Sequence, residues 1–167
     1  MPDLGTEHAP SRYEGAPVAV TRAGSEQNAS RAWSQVGEFH RVYGLPISAE
    51  PTVEVGSAQV SLRQALIEEE VAELAAAATA GDLTGIADAL ADIVYVAYGT
   101  AHVYGIDLDA VLDEVHASNM TKLDENGRPL RRADGKVLKG PGYRPPDVAA
   151  ILRRARTGVD GPLTPGG

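Results

Sequence analysis

The chain predicts an all-α protein with a four-helix-bundle-like core and an irregular C-terminal flap, and three observations carry that prediction. Apolar residues recur at helical spacing in four successive stretches, none of which shows the alternation of a half-buried strand. Glycine, proline and capping residues punctuate the chain where each pattern stops. The third stretch is apolar on almost every side, which a helix tolerates only at the centre of a packed structure.

Residues 1–26 are rich in Gly, Pro, Ser and charge without a usable period, and read as a flexible arm. The folded domain is expected over 27–156, and the Gly/Pro-rich stretch 157–167 as a disordered tail. A first helix is expected from Asn28, with Asn28 or Ser30 as N-cap. Trp33, Val36, Phe39 and Val42 mark its apolar face, and Gly44-Leu45-Pro46 ends it. After a connection containing Pro46 and Pro51, Ser61 caps a second helix that closes at Gly81. A third runs from Leu83 to Val103, joined to the second by the tight Gly81-Asp82 step, so the two should be antiparallel neighbours. A fourth begins near Asp107 and ends around Lys122, carrying Leu108, Val111, Leu112, Val115 and Met120. Two turn signals, Asp124-Glu-Asn-Gly and Asp134-Gly, then suggest a small hairpin, followed by a short helix over 147–156.

Acids sit where those helices should bury leucine. At about 100° per residue, Leu62, Leu66, Leu74 and Ala77 form the apolar stripe of the second helix. Glu70 and Glu73 project into the same arc, with Glu69 on its edge and Glu68 pointing away. On the third helix the only charges between Leu83 and Ala101 are Asp88 and Asp92, one turn apart on one face. Unpaired buried carboxylates are costly, and the two helices supply only Arg63 to neutralise five acids. The expectation is therefore a cation. An all-oxygen donor set suits Mg²⁺, with Mn²⁺ as a substitute, and not Zn²⁺. Mg²⁺ is commonly held by a few carboxylates together with substrate phosphates, which points to nucleotide hydrolysis with a spare carboxylate orienting water. The competing reading is a non-catalytic helical module whose acids bind a basic partner or a structural metal.

Composition narrows the classes further. With 15 Lys and Arg against 23 Asp and Glu, the formal charge of −8 argues against a nucleic-acid groove. The absence of cysteine excludes a disulfide framework and a thiolate metal site. No stretch is long and apolar enough to span a bilayer, and the first residues lack the pattern of a secretion signal. A cytoplasmic protein without membrane or nucleic-acid partners is expected.

The acidic stretches also resemble a known family. Arg63-x-x-Leu66-Ile67-x-Glu69-Glu70-x-x-Glu73-Leu74 is similar to the E-E-x-x-E signature of the all-α nucleoside triphosphate pyrophosphohydrolases, which include MazG-like proteins, phosphoribosyl-ATP pyrophosphohydrolase and the dimeric dUTPases. Ala87-Asp-Ala-Leu-Ala-Asp-Ile-Val-Tyr95 looks like the second half of that signature, and Glu114-Val-His-Ala-Ser-Asn-Met-Thr-Lys122 resembles the segment after the fourth helix in the MazG-like branch. The resemblance extends from about Val36 to Pro146. One departure stands out: the usual E-x-x-D has Ala89 at its glutamate position, with Asp88 one residue earlier on the face of Asp92.

The resemblance implies cleavage of a nucleoside triphosphate between its α and β phosphates. Glu69, Glu70, Glu73 and Asp92 would hold Mg²⁺, with Asp88 in place of the missing glutamate. Glu69 or Glu70 would also orient the attacking water. Phe39 and His40 resemble base-pocket positions, and Asn119 and Lys122 would serve the nucleotide. The basic, Gly/Pro-rich stretch with Lys136, Lys139, Tyr143 and Arg144 reads as a loop able to close over phosphates, with Lys139 and Tyr143 as substrate-binding candidates. Homodimers or homotetramers are implied, with helices of two subunits building each pocket. The expected substrates are dUTP or dCTP; phosphoribosyl-ATP ranks second because of the Ser118-Asn-Met-Thr-Lys122 segment.

Overall fold

The structure, a computed structural model, describes residues 29–157. The expected N-terminal arm and nearly all of the expected tail lie outside them. Five helices follow in order: α1 (Arg31–Val42), α2 (Ser57–Ala80), α3 (Leu83–Tyr104), α4 (Leu108–Asn119) and α5 (Val148–Thr157). None of them is long and apolar enough to cross a membrane.

Local chemistry explains most boundaries. Ser30 caps α1 by accepting the Trp33 N–H at 3.1 Å. Gly81 adopts the left-handed conformation that ends α2, and Asp82 accepts the Thr84 N–H to begin α3. Asp107 does the same for α4 through the Ala110 N–H. Ser61 does not cap α2. That helix starts four residues earlier, at Ser57, behind Gly56, because the run 57–60 contains nothing that breaks a helix. Likewise α4 stops at Asn119, so Lys122 lies just beyond its end.

The core is a three-helix layer in which α3 packs against both α2 and α1, while α4 pairs with α5. The fold is all-α as expected, with α4 following the turn at Gly105 and tied to the layer through Asp109. Two helical glycines set the spacing of the layer. A Cβ on Gly37 of α1 would lie 2.9 Å from the His102 ring, and one on Gly99 of α3 would lie 2.9 Å from the His40 ring. The two imidazoles fill that space and are almost wholly buried. His102 Nε2 bonds the Trp33 carbonyl and His40 Nδ1 the Pro46 carbonyl, and the Trp33 indole stacks on His102 at 3.7 Å.

The 45–56 connection folds over the C-terminal end of α3 and satisfies its last carbonyls. Ser48 N–H donates to His102 O, Ser48 Oγ to Val103 O, and Thr52 N–H to Tyr104 O. Gly105 sits beneath it at φ +65°, where a Cβ would fall 2.2 Å from Glu50 O. At the other end, Asp109 of α4 accepts the Ser30 N–H and the Tyr98 hydroxyl, each at 2.7 Å. Burial opposes ionisation of Asp109, but these bonds outweigh it and hold the carboxyl below its ordinary range.

The flap after α4 consists of two tight turns, at Asp124–Gly127 and Arg132–Gly135, each flanked by one antiparallel bridge, Leu123 with Pro129 and Arg131 with Val137. Its stem is fastened to the end of α4: the buried Ser118 hydroxyl donates to Arg144 O, the Arg144 N–H donates to Thr121 Oγ1, and Gly140 lies directly on Leu123 O.

Two outcomes follow from these contacts. Gly105→Ala meets both the left-handed backbone and the Glu50 carbonyl, and should lower stability by about 2 kcal/mol or more, read as a fall in Tm. Asp109→Asn should cost about 1–3 kcal/mol at neutral pH. Because the folded carboxyl is held below the unfolded value of about 3.9, its contribution is present above that pH and lost as pH falls through the folded value. Acid titration of Tm should therefore show a shallower fall below about pH 4 in the variant than in the wild type.

Candidate active site

Helices α2 and α3 meet along a regular antiparallel seam. A Cβ on Gly85 would lie 3.1 Å from the Ala77 methyl, and one on Gly99 would lie 3.2 Å from the Arg63 guanidinium. Two turns inward from each of these contacts, the same register sets Glu70 opposite Asp92. The carboxylates therefore occupy the middle of a seam whose ends are closed by small residues.

Glu70 feels the other four acids there. Burial pushes the Glu70 carboxyl above its ordinary range, and the negative charges of Asp92, Glu73, Glu69 and Asp88 push it further. None of the five is ion-paired to a described basic side chain. Yet they are not buried as the helical wheel implied. Glu70 is half-buried, whereas Glu69, Glu73, Asp88 and Asp92 are exposed in the single chain. The reason is coverage. The 12-residue α1 lies over the C-terminal half of α3, which leaves the far part of the α2–α3 hairpin open, including Leu90 and Val94, each 48% exposed.

Among the described residues no three Asp, Glu or His side chains converge closely enough to hold a metal ion in this arrangement. The donor set nevertheless fits a hard divalent cation in kind: it is all oxygen, it carries excess negative charge, and it lacks a protein counter-ion. Like charges without a cation splay apart, so convergence would accompany binding.

Phe39 and His40 take different roles. The Phe39 ring is partly exposed; it packs edge-on against Tyr95 at 5.6 Å and lies tilted against Tyr43 at 4.4 Å, forming an aromatic ledge one turn along α3 from Asp92. His40 faces inward. Burial lowers its pKa and the neighbouring Arg63 and His102 add to this, against the opposing bond to Pro46. Tyr95 makes no hydrogen bond to an acid; its ring packs on Phe39 instead.

The remaining candidates form a separate group. Asn119 and Lys122 lie at the end of α4, which packs on α5 and makes at most slight contact with α2. Lys139 stacks over the Tyr143 ring at 4.4 Å on the flap. Since the flap stem is fastened to α4, these four side chains belong to one unit, and the carboxylates and aromatic ledge to another. An apolar cavity of about 270 Å³ near Pro51, Tyr104, Ile106 and Leu152 has none of these residues in its wall.

The helical wheel missed Arg63, counting it only as a scarce cation. It is buried in the seam while Leu62, assigned to the apolar stripe, is 44% exposed. The available signal was spacing: Arg63 precedes Glu70, and Gly99 follows Asp92, by two full turns.

Comparison with known proteins now bears on this arrangement. A solved structure of a candidate NTP pyrophosphohydrolase from Exiguobacterium sp. 255-15 is similar at a TM-score of 0.45 and 23% identity, covering 78% of this chain and 99% of that one. An uncharacterized protein of Acanthamoeba polyphaga mimivirus is 36% identical over 100 residues, which is 58% of this chain but 38% of that longer protein. The family model for phosphoribosyl-ATP pyrophosphohydrolase matches residues 36–119, from Val36 on α1 to Asn119 at the end of α4, and so takes in the whole carboxylate seam. The superfamily resemblance is thereby shown, through the branch that the sequence reading ranked second for substrate. The chain belongs to the phosphoribosyl-ATP pyrophosphohydrolase family.

Proposed function

We propose that the protein is a Mg²⁺-dependent nucleotide pyrophosphohydrolase that releases pyrophosphate from a nucleoside triphosphate. The observation that carries this reading is the seam itself: a Glu70 carboxyl raised by burial and by the charges of Asp92, Glu73, Glu69 and Asp88, without a described basic partner, within the stretch that matches the family. Glu69, Glu70, Glu73 and Asp92 would hold the metal, and Asp88, facing the same way as Asp92, would stand in for the glutamate absent at Ala89. Bound Mg²⁺ would neutralise the polyphosphate and withdraw charge from the phosphorus under attack. Glu70, whose proton affinity its neighbours already raise, is suited to orient a water and take its proton. The ledge of Phe39, Tyr43 and Tyr95 offers a surface on which a base can stack.

A pool-cleaning role on dUTP or dCTP is our first assignment. Phosphoribosyl-ATP is the second, favoured by the description of the matching family. The rival from another class, an acidic binding module, draws on the dispersed state of the carboxylates.

In one chain α4, which ends at Asn119 and leads into Lys122 and the flap, packs mainly on α5 and not on the seam helix α2. A homodimer or homotetramer would let it serve the seam of a neighbouring subunit, and would cover the apolar residues left open on α3. Such a pocket takes metal and base from one chain and phosphate-binding groups from another.

Pyrophosphate release should be assayed with dUTP, dCTP, other nucleoside triphosphates and phosphoribosyl-ATP, in Mg²⁺, Mn²⁺ or EDTA. Glu70→Gln should lower the rate by about 10² or more with Tm unchanged or raised, since one member of a repelling cluster becomes neutral. EDTA should abolish release and Mn²⁺ should partly replace Mg²⁺. Release that survives both the substitution and EDTA would reject the proposal; a folded wild type silent on the whole panel would favour the binding module. For the shared pocket, Glu70→Gln and Lys122→Ala chains, each inactive alone, should regain up to about a quarter of wild-type activity when co-refolded, as sites with both intact groups re-form. No recovery, from a shown mixed oligomer, would place Lys122 within the pocket of its own chain.

A further inference from the structure

Arg63 is a buried cation that the fold does not use. Its side chain is 6% exposed, its Nε has no hydrogen-bond partner, and no described carboxylate pairs with it. One turn earlier on the same face of α2, the Oε1 of Gln59 is likewise sealed and unpartnered. Burial without compensation already weakens the hold of Arg63 on its proton. Removing an unpaired charge of this kind generally stabilises a fold, so its presence calls for an anion that arrives from outside.

The missing side chain of Gly99 lets the Arg63 Nη1 approach α3 closely, 3.2 Å from where a Cβ would stand. His40 packs beside it, its ring fixed by the Nδ1 bond to the Pro46 carbonyl. Along α2, Arg63 lies two turns from Glu70 on one face, about 10 Å of helix. A polyphosphate engaged by the carboxylates at one end and a long arginine side chain at the other can span that interval.

We propose that Arg63 binds the pyrophosphate portion of the substrate, its planar guanidinium taking β- and γ-phosphate oxygens while the carboxylate seam engages the α-phosphate side. The inference rests on the pyrophosphohydrolase reading. In that reaction water adds to the α-phosphorus and the bond to the bridging oxygen breaks. The electron pair goes to the β-phosphate and the proton of the water to a seam carboxylate. Charge therefore builds on the departing pyrophosphate, where a fixed, desolvated guanidinium is most effective. An orphaned arginine before substrate binds is then what the chemistry requires: its partner is the leaving group.

The test is direct binding of inorganic pyrophosphate to the full chain in Mg²⁺ by calorimetry, with Mn²⁺ binding and Tm measured beside it. Arg63→Gln should weaken pyrophosphate at least tenfold, leave Mn²⁺ affinity unchanged, and leave Tm equal or higher. Arg63→Lys, which keeps the charge and loses the fork, should weaken it severalfold and serves as the deciding variant if the glutamine form does not fold. Unchanged pyrophosphate affinity in a folded variant would overturn the assignment. So would a lower Tm with pyrophosphate binding intact, the mark of a purely structural arginine. A wild type that hydrolyses nucleotides but does not bind pyrophosphate removes the role of Arg63 alone; one that does neither removes the pyrophosphohydrolase reading with it.

Discussion

The register of α2 against α3 is the constraint from which the rest of the molecule follows. Gly81 and Asp82 turn the chain through a tight joint, and the glycines of the contacts Ala77–Gly85 and Arg63–Gly99 then let the helices approach at two levels. Between those levels the same spacing places Glu70 against Asp92. A slip of one residue would rotate each acid by about 100° and disperse the charge around both helices. Close approach at the ends thus enforces like-charge proximity in the middle, and Glu70 registers it as a carboxyl pushed above its ordinary range.

That proximity costs stability wherever a protein counter-charge is absent, and here the one buried cation of the seam sits two turns away. The charge is tolerated because the far half of the hairpin is left open to water, which α1 is too short to prevent. The same opening explains the half-exposed Leu90 and Val94. Openness leaves Glu69, Glu73, Asp88 and Asp92 in contact with water. Solvent access and site geometry are thus two consequences of the length of one helix.

Much of this was legible in the residues. The helix count, the Ser30, Asp82 and Asp107 caps and the antiparallel acidic pair follow from local rules of period and capping, which depend on neighbours a few positions apart. What was not legible depended on what lies across a gap. The wheel placed Glu73 inside because it assumed a third helix over that arc, and no described element covers it. It placed Leu62 inside and did not place Arg63 because hydrophobicity was the only criterion, whereas packing on Gly99 admits the thin arm of an arginine. Nor did local pattern show how α4 is tied to the layer, since the bonds of Asp109 to Ser30 and Tyr98 link residues 79 and 11 positions apart.

The two mid-helix glycines carry the last step. Glycine lowers helix stability relative to alanine, and alanine is abundant in α3. Gly37 and Gly99 persist in a fold where their absent methyl groups admit His102, His40 and Arg63, three polar side chains in what would otherwise be the driest part of the core. His102 and His40 each close a hydrogen bond to a neighbouring backbone carbonyl, and so stabilise the layer. Arg63 closes none. Of the three, the histidines answer to the fold, and the arginine answers to whatever anion enters the seam.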